Sequence, residues 1–500
     1  MKSSSKYNIL FAAFACMNSN LGYFFFDYNL SVFNAILPFL SDYVFPEAST
    51  GVITFIASAP IITAAVSAMF GGSLVAKFGR RKMMIISDIV AIIGVILTLV
   101  ASLPVVIIGR LLIGFHLGNT TVAVPLYFTE IPPVEYVGPL GIGPSLIGSF
   151  GIFLAFCLGL IVPTTLAAGE TSETWRILQA ISILFAAWRI INFLIFFRYE
   201  TPQHLIAHNK IEEAEKALGE VYKVGVKERV DELIKDRDYV KMKGKVGFLE
   251  LFTKKYARAL IVGIVMMSLQ HISGLNIVMV FSKTIFGAGI EDPDDKLPSY
   301  LSIALGGCYH IISYSLAWFV GRFNRKTLLV FGTFSLGLLE IIFGVISKAS
   351  DPSSIASKIF MVLWPIPFAF SLGTIPNIMV PETLPEEGVS IALLTNWIWG
   401  FLTVQFFPNI TNAIGIDVTF IIMGGICILA SLYFWIEAVE TKGKSKTEIL
   451  QEYNGLKNTG KAQVSPAENS ELTSLPKMVK EDSTPILTPD VSISGKEIAA

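Results

Sequence analysis

Long apolar runs separated by short polar interruptions dominate the chain from its start to about residue 437. A hydrocarbon layer about 30 Å thick takes roughly twenty helical residues to cross, at about 1.5 Å each. Runs of that size cover 8-30, 51-74, 84-103, 105-128, 140-163, 176-197, 259-282, 298-320, 327-347, 357-380, 390-412 and 416-437. They predict an all-α, polytopic membrane protein with twelve transmembrane helices. The first run follows Lys2 and Lys6 directly. It is too long for the apolar region of a signal peptide and reads as the first span.

The apolar pattern stops twice. Within 199-258 the run IEEAEKALGEVYKVGVKERVDELIKDRD repeats Glu and Lys at helical spacing around Ala214, Leu218 and Val221. Short amphipathic helices are expected there, linking two sets of six spans. Residues 438-500 are rich in Ser, Thr, Pro, Glu and Lys and poor in aromatics. Such a composition buries too little apolar surface to fold, so a mostly disordered tail is expected. The plan is therefore a first half over 1-198, a linker over 199-258, a second half over 259-437 and a tail over 438-500.

Charge adds sidedness. Lys77, Arg80, Arg81 and Lys82, then Arg322, Arg325 and Lys326, and the fourteen Lys and Arg of 198-258 all fall on the side of the termini. The opposite loops hold only Lys283, Lys296, Lys348 and Lys358. The positive-inside rule then places both termini in the cytoplasm of a plasma or internal membrane. Composition narrows the function. The 500 residues are 53% hydrophobic and 15% charged, against about 25% charged in soluble domains, which argues against a soluble enzyme. With 38 Lys and Arg against 39 Asp and Glu, no basic field points to nucleic acid. Cys16, Cys157, Cys308 and Cys427 lie inside apolar runs without metal-like spacing. No nucleophile-base pair or metal constellation is visible, so neither an enzyme nor a cofactor is expected.

An internal repeat shows in the punctuation. Gly79-Arg80-Arg81-Lys82 matches Asn324-Arg325-Lys326, Glu130-x-x-Pro133 matches Glu382-x-x-Pro385, and Glu200-Thr201 matches Glu440-Thr441, at offsets of 245, 252 and 240. A unit with an even number of spans, when duplicated, gives two parallel halves related by an axis along the membrane normal. A site between such halves suits alternating access.

These residues resemble the sugar porter branch of the major facilitator superfamily over about 20-450. The resemblance rests on GGSLVAKFGRRK after the second span, GRLLIGFHLGNTTVAVPLYFTEIPP in the fourth, Trp175-Arg176 and ETPQHL bounding the sixth, QHISGLN at 270-276, NW at 396-397 and VETKGKS at 439-445. It implies the major facilitator fold, two parallel six-helix halves, and a transporter of a sugar or polyol that works as a monomer in the bilayer. The departures are specific. His271 stands for a second glutamine, Ser145 for the fifth-span glutamine, Tyr309 for the eighth-span asparagine, and Ala369 and Asn377 for a glutamate and a tryptophan of the tenth span. Ala76 and Gly321 replace the loop aspartates, and Val137 and Val389 stand at or near the positions of the arginines that follow Glu130 and Glu382.

The chemistry agrees with the resemblance without proving it. A sugar site needs amides facing hydroxyls and an aromatic face against the ring, which Gln270, Asn276, Asn396 and Trp397 supply. The same amides also serve as interhelical hydrogen bonds in membrane bundles. Gly274 weakens the seventh span beside Asn276 and permits a bend. With His271, Ser145, Tyr309 and Asn377, these residues form the candidate substrate set. Arg80, Arg81, Arg325 and Lys326 are expected to pair with Glu130, Glu200, Glu382 and Glu440 as a gate that holds the outward-facing state and separates on inward opening. In proton-coupled members an Asp of the first span faces an Arg of the fourth. Arg110 matches the latter, whereas Asn29 occupies the Asp position and Asp27 lies about 200° around the helix from it. Facilitated diffusion is therefore favoured. Proton symport through Asp27 and Arg110, and a transporter-like nutrient sensor acting through the tail, are the alternatives.

Overall fold

The computed structural model describes residues 6–140, 143–166, 170–243, 248–292, 295–349 and 355–455. Twelve long helices follow one another: α1 (Ile9–Val44), α2 (Thr50–Phe78), α3 (Arg80–Thr98), α4 (Leu103–Glu130), α5 (Gly143–Ile161), α6 (Thr174–Ile195), α7 (Ala257–Gly287), α8 (Leu297–Arg322), α9 (Arg325–Ala349), α10 (Ile355–Thr383), α11 (Glu386–Ile414) and α12 (Ile416–Glu437). Eleven have the length and hydropathy of a membrane span. The exception is α3, whose 19 residues carry Arg80, Arg81, Lys82 and Asp88. Three of those charges sit in its first turn, at the edge of the hydrocarbon, so it spans as well.

The first span runs to Val44, well past the limit near 30 that the hydropathy suggested. Asn29, Ser31 and Asn34 lower the local hydropathy, yet all three are buried against protein instead of facing lipid. The bend expected in the seventh span is present. Helix stops at Ile272 and restarts at Leu275, with Gly274 at φ 93°, a left-handed conformation that favours glycine. The tenth span is broken twice, into Ile355–Val362, Pro365–Phe370 and Ile375–Thr383. Pro365 and Pro376 start the second and third pieces, where a missing N–H costs nothing.

Within the first half α2 and α3 pack on α4, and α1 packs on α5 and α6; within the second, α9 packs on α12 and α7 on α11. The halves meet where α2 lies along α11, α5 along α8, and α1 along the second piece of α7. Lipid provides no hydrophobic force to drive helices together, so close backbone approach matters. A Cβ on Gly118 would lie 2.3 Å from the Ala64 carbonyl oxygen of α2, and one on Gly114 2.4 Å from that of Pro60. Only glycine allows α4 that near.

Both ends of the described chain share one face with the linker. Lys223 N donates to the Lys6 carbonyl at 2.9 Å and Asn8 N to Val221 at 2.7 Å. Helices Pro202–Ala207, Ile211–Val221 and Val226–Lys243 bury Leu205, Ile206, Ala214, Leu218 and Val230 in a core of their own. The disorder expected for 438-500 does not extend over its first part. Lys446–Tyr453 is a helix closed by a Ser445–Glu448 capping box, and it buries Ile449, Leu450 and Tyr453. Residues 456-500 lie outside the described residues.

Replacing Gly118 with Val should destabilise the protein by about 1–3 kcal/mol, because backbone atoms of α2 have to move. Gly72→Ala on α2, with nothing within 4 Å of the added carbon, is the matched control. Melting in detergent checks both, and a Gly118→Val protein that melts like the wild type would refute the close contact.

Candidate functional site

The Gly274 bend places Gln270, His271 and Asn276 of α7 against Asn396, Trp397 and Gly400 of α11. Asn396 Nδ2 donates to Gln270 Oε1 at 2.7 Å and to the Met267 carbonyl at 2.8 Å. Its Oδ1 then faces His271 Nε2 at 3.1 Å, so that nitrogen carries the proton. Gln270 Nε2 donates in turn to the Leu372 carbonyl at 2.9 Å, at the second break of α10. These three side chains therefore bond to one another and tie α7, α10 and α11 together, the second of the two roles open to such amides, while His271 Nδ1 is buried without a hydrogen-bond partner among the described residues. Asn276 makes no side-chain hydrogen bond among the described residues; its Nδ2 lies 3.1 Å from where a Cβ on Gly400 would stand. Ile61 of the first half reaches the same spot at 3.2 Å. Trp397 turns its ring to Phe26 of α1, with centroids 6.1 Å apart.

The remaining candidates divide. Tyr309 is half-buried at the seam between halves, and Asn377, exposed, donates to the Gly373 carbonyl at 3.3 Å, which Gln270 also reaches at 3.4 Å. Ser145 does not join them: it is exposed in the first turn of α5, near the terminal face. The α5 hydroxyl at the seam is Ser149, one helical turn further on, 3.1 Å from His310 Nδ1 of α8. Sequence reasoning missed Phe26 and Ser149. The spacing of Tyr23, Phe26 and Asp27 along one face of α1 was the available signal for Phe26; Ser149 had none, since its role depends on how α5 is rotated.

Asp27 and Arg110 are not brought together. Arg110 is 1% exposed and donates to the carbonyls of Ile56 at 2.8 Å, Ala57 at 3.3 Å and Asn29 at 3.3 Å, with its guanidinium 3.8 Å from the Phe33 ring centre. Backbone oxygens thus take the place of an acid. Elsewhere in the first half, Arg189 and His116 share Asp88 Oδ1 at 3.2 Å each, all three fully buried. In the second half Glu340 accepts from Trp364 Nε1 at 2.9 Å.

The terminal-face charges form two copies of one arrangement. Glu200 accepts from Arg81 N at 3.1 Å and Lys82 N at 2.8 Å, capping α3, while Arg80 binds Glu130 at 2.7 Å. Glu440 accepts from Arg325 N at 3.1 Å and Lys326 N at 2.9 Å, capping α9, while Arg325 pairs with Glu382. A carboxylate suits a helix N-terminus, where unpaired N–H groups and the dipole meet it. The expected gate is corrected in two respects. Every pair lies within one half, so the pairs brace the halves and do not tie them to each other. Among the described residues Arg81 and Lys326 join through backbone nitrogen alone; the Arg81 guanidinium goes instead to the Phe193 carbonyl at 2.7 Å.

Hydrogen bonds between the halves lie at mid-depth or toward the other face. Asn34 of α1 donates to Ser282 and accepts from Lys283 N at 3.1 Å, and Gln405 of α11 joins Ser58 at 2.7 Å and Gly51 at 3.0 Å. Among the described residues none crosses on the terminal face.

A profile of the family described as sugar (and other) transporter matches residues 14–453. Plastidic glucose transporter 4 of Arabidopsis thaliana is 30% identical over 452 residues, 88% of this chain and 79% of that one. Glucose transporter GlcP of Staphylococcus epidermidis is 28% identical over 453 residues, 88% and 96% of the two chains. Among solved structures, the inward-open conformation of the xylose transporter XylE from E. coli superposes with a TM-score of 0.72 over 88% of this chain and 98% of that one; at 20% identity this is a likeness of fold.

Next to the Arg80 brace, His204 Nδ1 stands 3.4 Å from the Arg80 guanidinium. Burial, then His208 and the nearby Arg80, Lys82 and Lys210, push its pKa down from 6.5 to about 4. The unfolded chain therefore takes up that proton first, and stability present above pH 6.5 should fall as the pH drops toward 4. His204→Gln removes this titration, so its melting temperature should fall less steeply than the wild type's across that window. Parallel curves would refute it.

Proposed function

Because the chain belongs to the sugar (and other) transporter family, we propose that this membrane transporter carries a neutral sugar or polyol as a uniporter, at the seam where α7 and α11 face α1. It is a transporter and not an enzyme. The observation that carries uniport is the coordination of Arg110. Its donors go to three backbone carbonyls, and the neighbouring α1 position holds Asn29, which has no proton to exchange. Proton symport through an acid of the first span paired with Arg110 needs a titratable partner there.

The terminal face, rich in Lys and Arg, is read as cytoplasmic. With cross-links at mid-depth and toward the opposite face, the arrangement corresponds to an inward-facing state. Outward opening would break the Asn34–Ser282 and Gln405–Ser58 contacts while the charge braces keep each half rigid. Asn276, without a side-chain hydrogen bond among the described residues, and Trp397 are the side chains left to meet a substrate, with the Gln270–His271–Asn396 cluster fixing their helices. Two relatives are named as glucose transporters, which makes a hexose the first substrate to test. One chain holds a complete site, in keeping with a monomer.

Uptake of labelled hexoses, pentoses and polyols into proteoliposomes tests this reading. Saturable flux should be the same with and without a pH gradient; accumulation driven by the gradient would overturn uniport, and binding without flux would favour a sensor. Asn276→Ala should raise the half-saturation concentration roughly fivefold, since one hydrogen bond is worth about 1 kcal/mol. Unchanged kinetics would remove Asn276 from the site.

A further inference from the structure

Tyr23, Phe26, Asp27, Leu30 and Asn34 recur on α1 at intervals of three and four residues, so they share one face. That face looks across the seam: Phe26 meets Trp397, and Asn34 donates to Ser282 and to the Met279 carbonyl at 3.4 Å. Asp27 is the one acid on the face. It is half-buried, and among the described residues its carboxyl group has neither a hydrogen-bond donor nor a cation. The position is made by α5: a Cβ on Gly148 would lie 2.1 Å from Asp27 Oδ2, so glycine there leaves the room that the carboxyl group occupies.

A carboxyl group held in a membrane protein's interior without a partner is costly unless something that binds there satisfies it. In the second half Gln270 and Asn396 are committed to each other and to backbone, which leaves Asn276 and Trp397 to meet a substrate from that side. Sugar hydroxyls are donors as well as acceptors, and a carboxyl group offers two oxygens to them. We propose that Asp27 is a specificity-determining residue of the transport site, bonding directly to one or more substrate hydroxyls while Phe26 and Trp397 cover the apolar face of the ring. This role is distinct from proton exchange with Arg110, and it rests on the sugar reading of the site.

A series of monodeoxy analogues of a transported hexose, each measured as a competitor of uptake in wild type, Asp27→Ala and Asp27→Asn, tests it. In the wild type, removing the hydroxyl that Asp27 holds should weaken inhibition about tenfold, equivalent to about 1.4 kcal/mol. In Asp27→Ala the parent sugar should weaken by a similar factor and that deoxy analogue should then compete as well as the parent. Asp27→Asn, which keeps one acceptor oxygen, should fall between. Calorimetric binding of the same series to purified protein gives the answer if the variants bind but do not transport. If neither substitution changes the ranking of the deoxy series, the role of Asp27 is refuted while the sugar reading stands. If the wild type neither binds nor carries any sugar, that reading fails and this inference fails with it.

Discussion

A hydrocarbon layer has no hydrogen bonds to give, so each polar group carried into it needs a partner within the protein. Much of the arrangement inside these twelve helices follows from that constraint. Arg110 turns to three backbone carbonyls, Arg189 and His116 share Asp88, Glu340 takes the Trp364 indole, and Gln270, His271 and Asn396 close on one another. Each of these ties together helices that lipid alone would not hold in register. Among the described residues Asn276 and Asp27, on opposite halves at the seam, have no side-chain hydrogen bond, which is why both are proposed to meet the substrate.

Irregular backbone belongs to the same account. The Gly274 break in α7 and the two breaks in α10 lie beside the amide cluster, and the carbonyls they free are put to use: those of Leu372 and Gly373 accept from Gln270. Breaks in membrane helices are tolerated where neighbouring side chains take up the released groups.

The duplication is functional as well as historical. In each half an acid after the sixth helix caps the third, and an Arg at the start of the third reaches a Glu at the end of the fourth. Partly exposed pairs of this kind give only about 0 to 1 kcal/mol each. They hold the helix ends of one half together, and under the proposed alternating access each half would move as a body while the neutral contacts of Asn34 and Gln405 open and close between them.

The sequence alone settled the class of protein, the number of spans and the repeat, because hydropathy, helix pitch and the thickness of a bilayer are properties of chain composition and length. It also set Asn29 and Asp27 on different faces of α1, since residues two positions apart on an α-helix are separated by about 200°. Partnership was beyond its reach. Arg80 and Glu130 were visible as candidates, but whether such charges brace one half or join two depends on which helix ends meet in space. Ser145 and Ser149 differ by one turn of α5, and the rotation of that helix against α8 decided which hydroxyl reaches the seam. The amides of α7 and α11 could have been free or bonded to each other; only the packing of the two helices face to face decided it.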